Sequence, residues 1–135
     1  MNSVPIPVYE NVDRDKFLSE IHPKRTPALL RGLDIGDCLK KWSVYYLCDS
    51  VGSRPVKIHV SESGQMDFLT KNFYYKTLSF DQVIRRSAEV EHQEFFLSKS
   101  EVYYLRSLGN DSRGRDVASL DQHYPELCKD FKIPD

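Results

Sequence analysis

The chain has 135 residues, 40% of them hydrophobic and 29% charged, with a formal net charge of −1. That is one domain's worth of ordinary soluble sequence, and its balanced charge gives no bulk attraction to nucleic acid or anionic lipid. No apolar run reaches membrane-spanning length and the polar start lacks a signal peptide's apolar core, so an intracellular setting, cytoplasmic or nuclear, with no membrane partner is expected. Three widely spaced cysteines, Cys38, Cys48 and Cys128, form no C-x-x-C pair and argue against a disulfide framework or a structural zinc site.

Taken in order, the first twelve residues, with Pro5 and Pro7, read as an extended arm. Asp13 can cap a short helix through His22, with Val12 and Phe17 as a hydrophobic staple and Pro23 as its stop. "TPALLRG" reads as a buried strand closed by Gly32, and "RGLDIG" as a strand-to-helix turn, since no nucleotide motif uses its glycine spacing. In "KWSVYYLCDSVG" Ser43 caps a second helix, Trp42 and Leu47 form its staple, and Gly52 ends it.

"RPVKIHVSES" alternates as a strand, with Val56, Ile58 and Val60 inward and Lys57 and His59 outward. "KNFYYKTLSF" continues extended. Ser79 and Gln82 then make a capping box for a helix whose apolar side is Phe80, Val83, Ile84 and Ala88. Strands are expected around Glu94–Leu97 and Val102–Leu108, then a charged loop "GNDSRGRD" and a last short helix capped by Asp116 and cut off at Pro125. The strands lack obvious hairpin partners, so the pattern looks unfinished.

Candidate chemistry is sparse. His92 and Glu94 form H-x-E, which with a later His123 could imitate a two-His-one-carboxylate iron site; the competing reading is a polar helix end. There is no G-x-S-x-G elbow and no Gly-rich phosphate loop. Lys71, Tyr74, Tyr75, Lys76, Arg85 and Arg86 mix basic and aromatic character suited to phosphates and bases, or to a solvated face. In "EVYYLRSLG" a strand puts Tyr104 on one face with Arg106, and Tyr103 on the other with Leu105. One tyrosine packs in a core; the other, beside a guanidinium, suits a small carboxylate. Alternation alone does not say which face is which.

"RTPALLRGLDIGDCLKKWSVYYL", "VKIHVSESGQMDFLTKNFYYKTLSFDQVI" and "EFFLSKSEVYYLRSLGND" together resemble the amino-terminal half of the JmjC, cupin-8-like iron(II)/2-oxoglutarate dioxygenases. "QMDFLTKNFYYKTLSFDQ" and "EVYYLRSLG" narrow the likeness to the tRNA-hydroxylating branch of wybutosine synthesis. The resemblance implies an α+β chain, residues 1–135 being amino-terminal helices and first strands of a double-stranded β-helix (jelly roll, cupin-like), incomplete. It implies iron(II) and 2-oxoglutarate as cofactors of the complete enzyme, phenylalanine tRNA as partner, and a homodimer formed through segments outside this stretch. Tyr104 is assigned to the 2-oxoglutarate pocket. The family's H-x-D…H iron ligands lie beyond the matched segment, so neither a metal-binding nor a catalytic residue is expected here, and no cofactor is expected to bind tightly. The expectation is a fragment or short isoform, inactive alone. A fragment of a related JmjC protein hydroxylase and a non-catalytic RNA- or protein-binding isoform remain the alternatives.

Overall fold

A computed structural model describes residues 3–106 and 119–135. Strand β1 (Val8–Glu10) lies in the arm and pairs in parallel with β2 (Leu29–Arg31), Tyr9 opposite Leu30. Between them Asp13 caps α1 (Arg14–Lys16), its Oδ1 accepting from the Lys16 N–H at 2.8 Å. The helix does not stop at Pro23: it widens to a π turn over Phe17–Ile21 and tightens to a 3-10 turn over His22–Lys24. Proline fits there because a helical first turn needs no N–H from it. Strand β2 is partly exposed rather than buried, having only one short partner strand.

The "RGLDIG" turn leads into α2 (Cys38–Lys41), a helix the sequence pattern did not announce. Gly36 sits at φ +93°, and a Cβ there would lie 2.5 Å from the Asp130 carbonyl oxygen. This close approach lets Asp130 accept from the Cys38 N–H at 2.9 Å while the Ile35 carbonyl accepts from the Lys132 N–H at 2.7 Å. Helix α3 (Val44–Val51) follows, capped by Ser43 Oγ on the Tyr46 N–H at 3.1 Å and closed by Gly52 at φ +70°.

Strand β3 (Pro55–Ser61) is the centre of a three-stranded antiparallel sheet, flanked by β4 (Phe73–Ser79) and β5 (Val102–Leu105). The expected capping box starts α4 (Phe80–Ser87), with both Ser79 and Gln82 bonds formed. Two short helices follow, α5 (Leu120–His123) and α6 (Pro125–Cys128); α5 stops before Pro125 as expected, and the same proline opens α6. The Asp116 cap and the strand beyond Arg106 fall outside the described residues.

No strand forms at Glu94–Leu97. The buried Glu101 carboxylate instead gathers the N–H groups of Phe96, Leu97 and Ser98 at 2.7–3.3 Å, donors a strand would have spent on a neighbour.

The helices cover one face of the sheet. Ile58, Val60 and Val83 pack with Leu78, Leu97, Tyr103 and Leu105, and this cluster runs on into Val51, Phe80 and Leu127 with Trp42, Leu47 and Tyr124. The result is α+β, with no closed barrel among the described residues. No helix among them is long and apolar enough to cross a membrane.

Candidate functional site

The pleat of β3 sends Ile58 and Val60 to the helix layer and His59 to the opposite face. There His59 is flanked in register by Tyr75 on β4 and Tyr104 on β5. The sequence pattern pointed His59 outward toward solvent; instead it is 3% exposed. Its ring stacks on Phe73 at 4.5 Å, meets Tyr75 and Tyr104 edge-on at 4.7 and 5.5 Å, and is tilted against Phe68 at 5.7 Å. Burial in this aromatic cage, together with the positive charges of Arg106 and Lys57, lowers the imidazole pKa below its usual value and keeps the ring uncharged. Its Nδ1 is buried and has no hydrogen-bond partner among the described residues.

The same pleat separates the two tyrosines. Tyr103 turns into the helix layer, where its hydroxyl donates to Glu101 Oε1 at 2.7 Å and accepts from Arg86 Nη1 at 3.2 Å. Burial, aided by the Glu101 carboxylate, pushes its pKa up to about 12. Tyr104 lies on the His59 face, 44% exposed. Arg106 shares that side, its guanidinium 6.0 Å from the Phe68 ring, and Lys57 lies 4.5 Å from the Tyr75 ring. The face therefore offers a phenol and an uncharged imidazole between two cations, which suits an anionic ligand.

Other candidates are spoken for. Both nitrogens of His92 are engaged, Nδ1 with Glu89 Oε2 and Nε2 with the Glu101 carbonyl, each at 2.8 Å, so it locks the 89–101 segment. His123 Nδ1 bonds within its own turn to Ser119. Among the described residues no three His, Cys, Asp or Glu side chains are grouped to hold a metal ion. The basic-aromatic residues do not form one surface: Tyr74 and Tyr75 point to opposite faces of β4. Arg86 is bound to the Glu94 carbonyl at 2.9 Å and to Tyr103, rather than free for phosphate. Arg85 pairs with Asp81 at 3.3 Å. The three cysteines are free thiols.

What sequence reasoning missed was the cage around His59. Its signal was present in the matched alternation of "KIHVS", "FYYK" and "VYYLR", which puts His59, Phe73, Tyr75 and Tyr104 on one side once the strands are aligned.

The fold and this face define an α+β chain with an aromatic sheet face, flanked by Lys57 and Arg106, opposite its helices. No family model matches the chain. It is 48% identical over 133 residues to tRNA wybutosine-synthesizing protein 5 of Gallus gallus, covering 98% of this chain and 42% of that protein. It is 50% identical over 129 residues to the protein of that name in Danio rerio, covering 96% and 39%. It is 34% identical over 114 residues to tRNA wybutosine-synthesizing protein 4 of Gibberella zeae, covering 82% and 10%. Nearly the whole chain is thus homologous to tRNA wybutosine-synthesizing proteins, while it spans about two fifths of the length of the protein 5 relatives.

Proposed function

We propose that residues 1–135 form the cosubstrate-holding part of a JmjC, cupin-like tRNA hydroxylase of wybutosine synthesis, with Tyr104 contacting 2-oxoglutarate. The observation that carries this reading is the placement of the half-exposed Tyr104 phenol on the cation-flanked face while Tyr103 is consumed by the core. The relatives' names support a role in wybutosine formation on tRNA.

A phenol donates a hydrogen bond to a carboxylate without adding a formal charge, and Arg106 and Lys57 supply the long-range attraction. The Tyr104 ring itself rests edge-on against His59, which is packed in turn against Phe68, Phe73 and Tyr75, so the strand that presents the phenol is backed by a packed aromatic cluster. In the complete enzyme dioxygen would be the oxidant: one oxygen atom would go to succinate as 2-oxoglutarate is oxidised with loss of carbon dioxide, the other would hydroxylate an unactivated carbon, and iron(II) would supply the redox chemistry. The described residues do not fit the metal, since no three-donor group exists among them. In this reading the metal donors, and the dimer contacts, come from sequence that the relatives have outside the matched stretch, and the chain alone does not turn over.

Titration with millimolar 2-oxoglutarate, read by ligand line-broadening, tests the assignment. Tyr104→Phe deletes only the hydroxyl and is expected to weaken binding about tenfold. Absence of saturable binding, or equal binding by the variant, overturns the site. Incubating the complete protein with hypomodified phenylalanine tRNA, against candidate peptides, separates a tRNA hydroxylase from a protein hydroxylase.

A further inference from the structure

We infer that His59 is a second ligand-contacting residue of this face, its Nδ1 hydrogen-bonding directly to the carboxylate that Tyr104 meets. The inference rests on the reading of Tyr104 as a 2-oxoglutarate contact and extends it to a residue on the central strand.

Three observations carry it. A buried polar atom without a partner is rare in folded proteins, and among the described residues His59 Nδ1 has none. The imidazole is caged by four aromatic rings, so a phenyl ring would serve packing here as well or better, and would remove the unmet nitrogen. A nitrogen kept in such surroundings is explained by a partner that comes from outside the described fold. Finally, Lys57 and Arg106 flank the ring, so a negative pole is the favoured visitor. An uncharged imidazole protonated on Nδ1 donates to a carboxylate oxygen, and the neighbouring Tyr104 hydroxyl, on the adjacent strand in direct register, donates to the same group.

The way in is through Phe68. Phe73, Tyr75 and Tyr104 are held on strands, whereas Phe68 lies in the connection between β3 and β4 and is half-exposed. A shift of that ring uncovers the imidazole without disturbing the sheet.

His59→Phe tests this in the chain as it stands, with 2-oxoglutarate as probe. If the imidazole is kept for the ligand, the variant without ligand melts at a higher temperature than the parent, yet binds 2-oxoglutarate at least about tenfold more weakly. In the parent, the Nδ1 resonance of His59 in a nitrogen-15 spectrum moves on addition of 2-oxoglutarate, a readout that needs no variant to fold. Undiminished binding by His59→Phe, or a static Nδ1 resonance, while Tyr104→Phe still weakens binding, overturns the role of His59 and leaves that of Tyr104 standing. No 2-oxoglutarate binding by the parent removes both.

Discussion

The Glu101 carboxylate orients the strand that carries Tyr104, and replacing it by glutamine measures how firmly. Its side chain is fully buried. Oε2 accepts from the N–H groups of Phe96 at 3.0 Å, Leu97 at 2.7 Å and Ser98 at 3.3 Å, and Oε1 from the Tyr103 hydroxyl at 2.7 Å. Arg86 stands 3.9 Å away. Glu101→Gln keeps the shape but leaves one accepting oxygen where two worked, and strips the charge from every remaining bond. Hydrogen bonds to a charged group contribute about 1.5–3 kcal/mol each, and disrupting a buried charged network costs about 3–5 kcal/mol. With a urea slope of about 2 kcal/mol per molar, the unfolding midpoint falls by about 2 M at constant slope. The acid limb gives a second reading. Burial pushes the Glu101 pKa up, but the Tyr103 hydroxyl and the three N–H donors outweigh it, so the folded value lies below 4.5. Stability from this group is therefore complete above pH 4.5 and lost as pH falls through the depressed value. The gap between parent and variant should close over that interval. A midpoint shift under about 0.5 M, or a gap unchanged in acid, refutes the assignment of Glu101 as the organiser of this segment.

Three further changes probe the frame. Gly36→Ala combines a left-handed backbone with a Cβ 2.5 Å from the Asp130 carbonyl, and should cost about 2–5 kcal/mol in urea unfolding. Asp130→Asn weakens the acceptor shared by the Tyr46 hydroxyl, Trp42 Nε1 and Lys41 Nζ, so the melt should fall by several degrees and the emission of the single tryptophan should shift to the red. Tyr103 has its pKa raised to about 12 by burial and Glu101, so its contribution is complete below pH 10 and lost as pH rises toward 12. Tyr103→Phe should flatten alkaline unfolding over that range, removing at most about 2–3 kcal/mol of pH-dependent stability.

The features legible in the sequence are those whose physics is local. Asp13, Ser43 and the Ser79–Gln82 pair each satisfy N–H groups within three residues, and their helices begin where those residues say. Gly52 likewise ends α3 by its own backbone freedom. The failures are tertiary. The arm becomes β1 only because β2 is beside it, and the Glu94–Leu97 segment loses its strand to a carboxylate several residues further along. Alternation separated Tyr103 from Tyr104 correctly but carried no information about which side the helices would cover. The same ignorance turned His59 outward, when both faces of the central strand are in fact enclosed: one by α4, the other by aromatic rings from β4, β5 and the β3–β4 connection.

One pleat therefore performs two jobs that sequence neighbours keep apart. Ile58 and Val60 are completely buried against the helix layer, while His59 between them looks into the aromatic cage; Tyr103 enters the core while Tyr104 remains half open. In the proposed reading, stability and ligand contact thus fall on alternate residues of the same strands. The cost of an unmet nitrogen on one face is offset by apolar burial on the other. The outer edges of β4 and β5 have no strand partner among the described residues. A sheet arranged this way holds His59 and Tyr104 on rigid backbone rather than on loops, which the proposed role in orienting a small dicarboxylate requires. Tyr103, bonded to Glu101, fixes the pleat of β5 from the core side. Because Tyr104 is the next residue on that strand, the direction of its phenol is set by the packing of its neighbour.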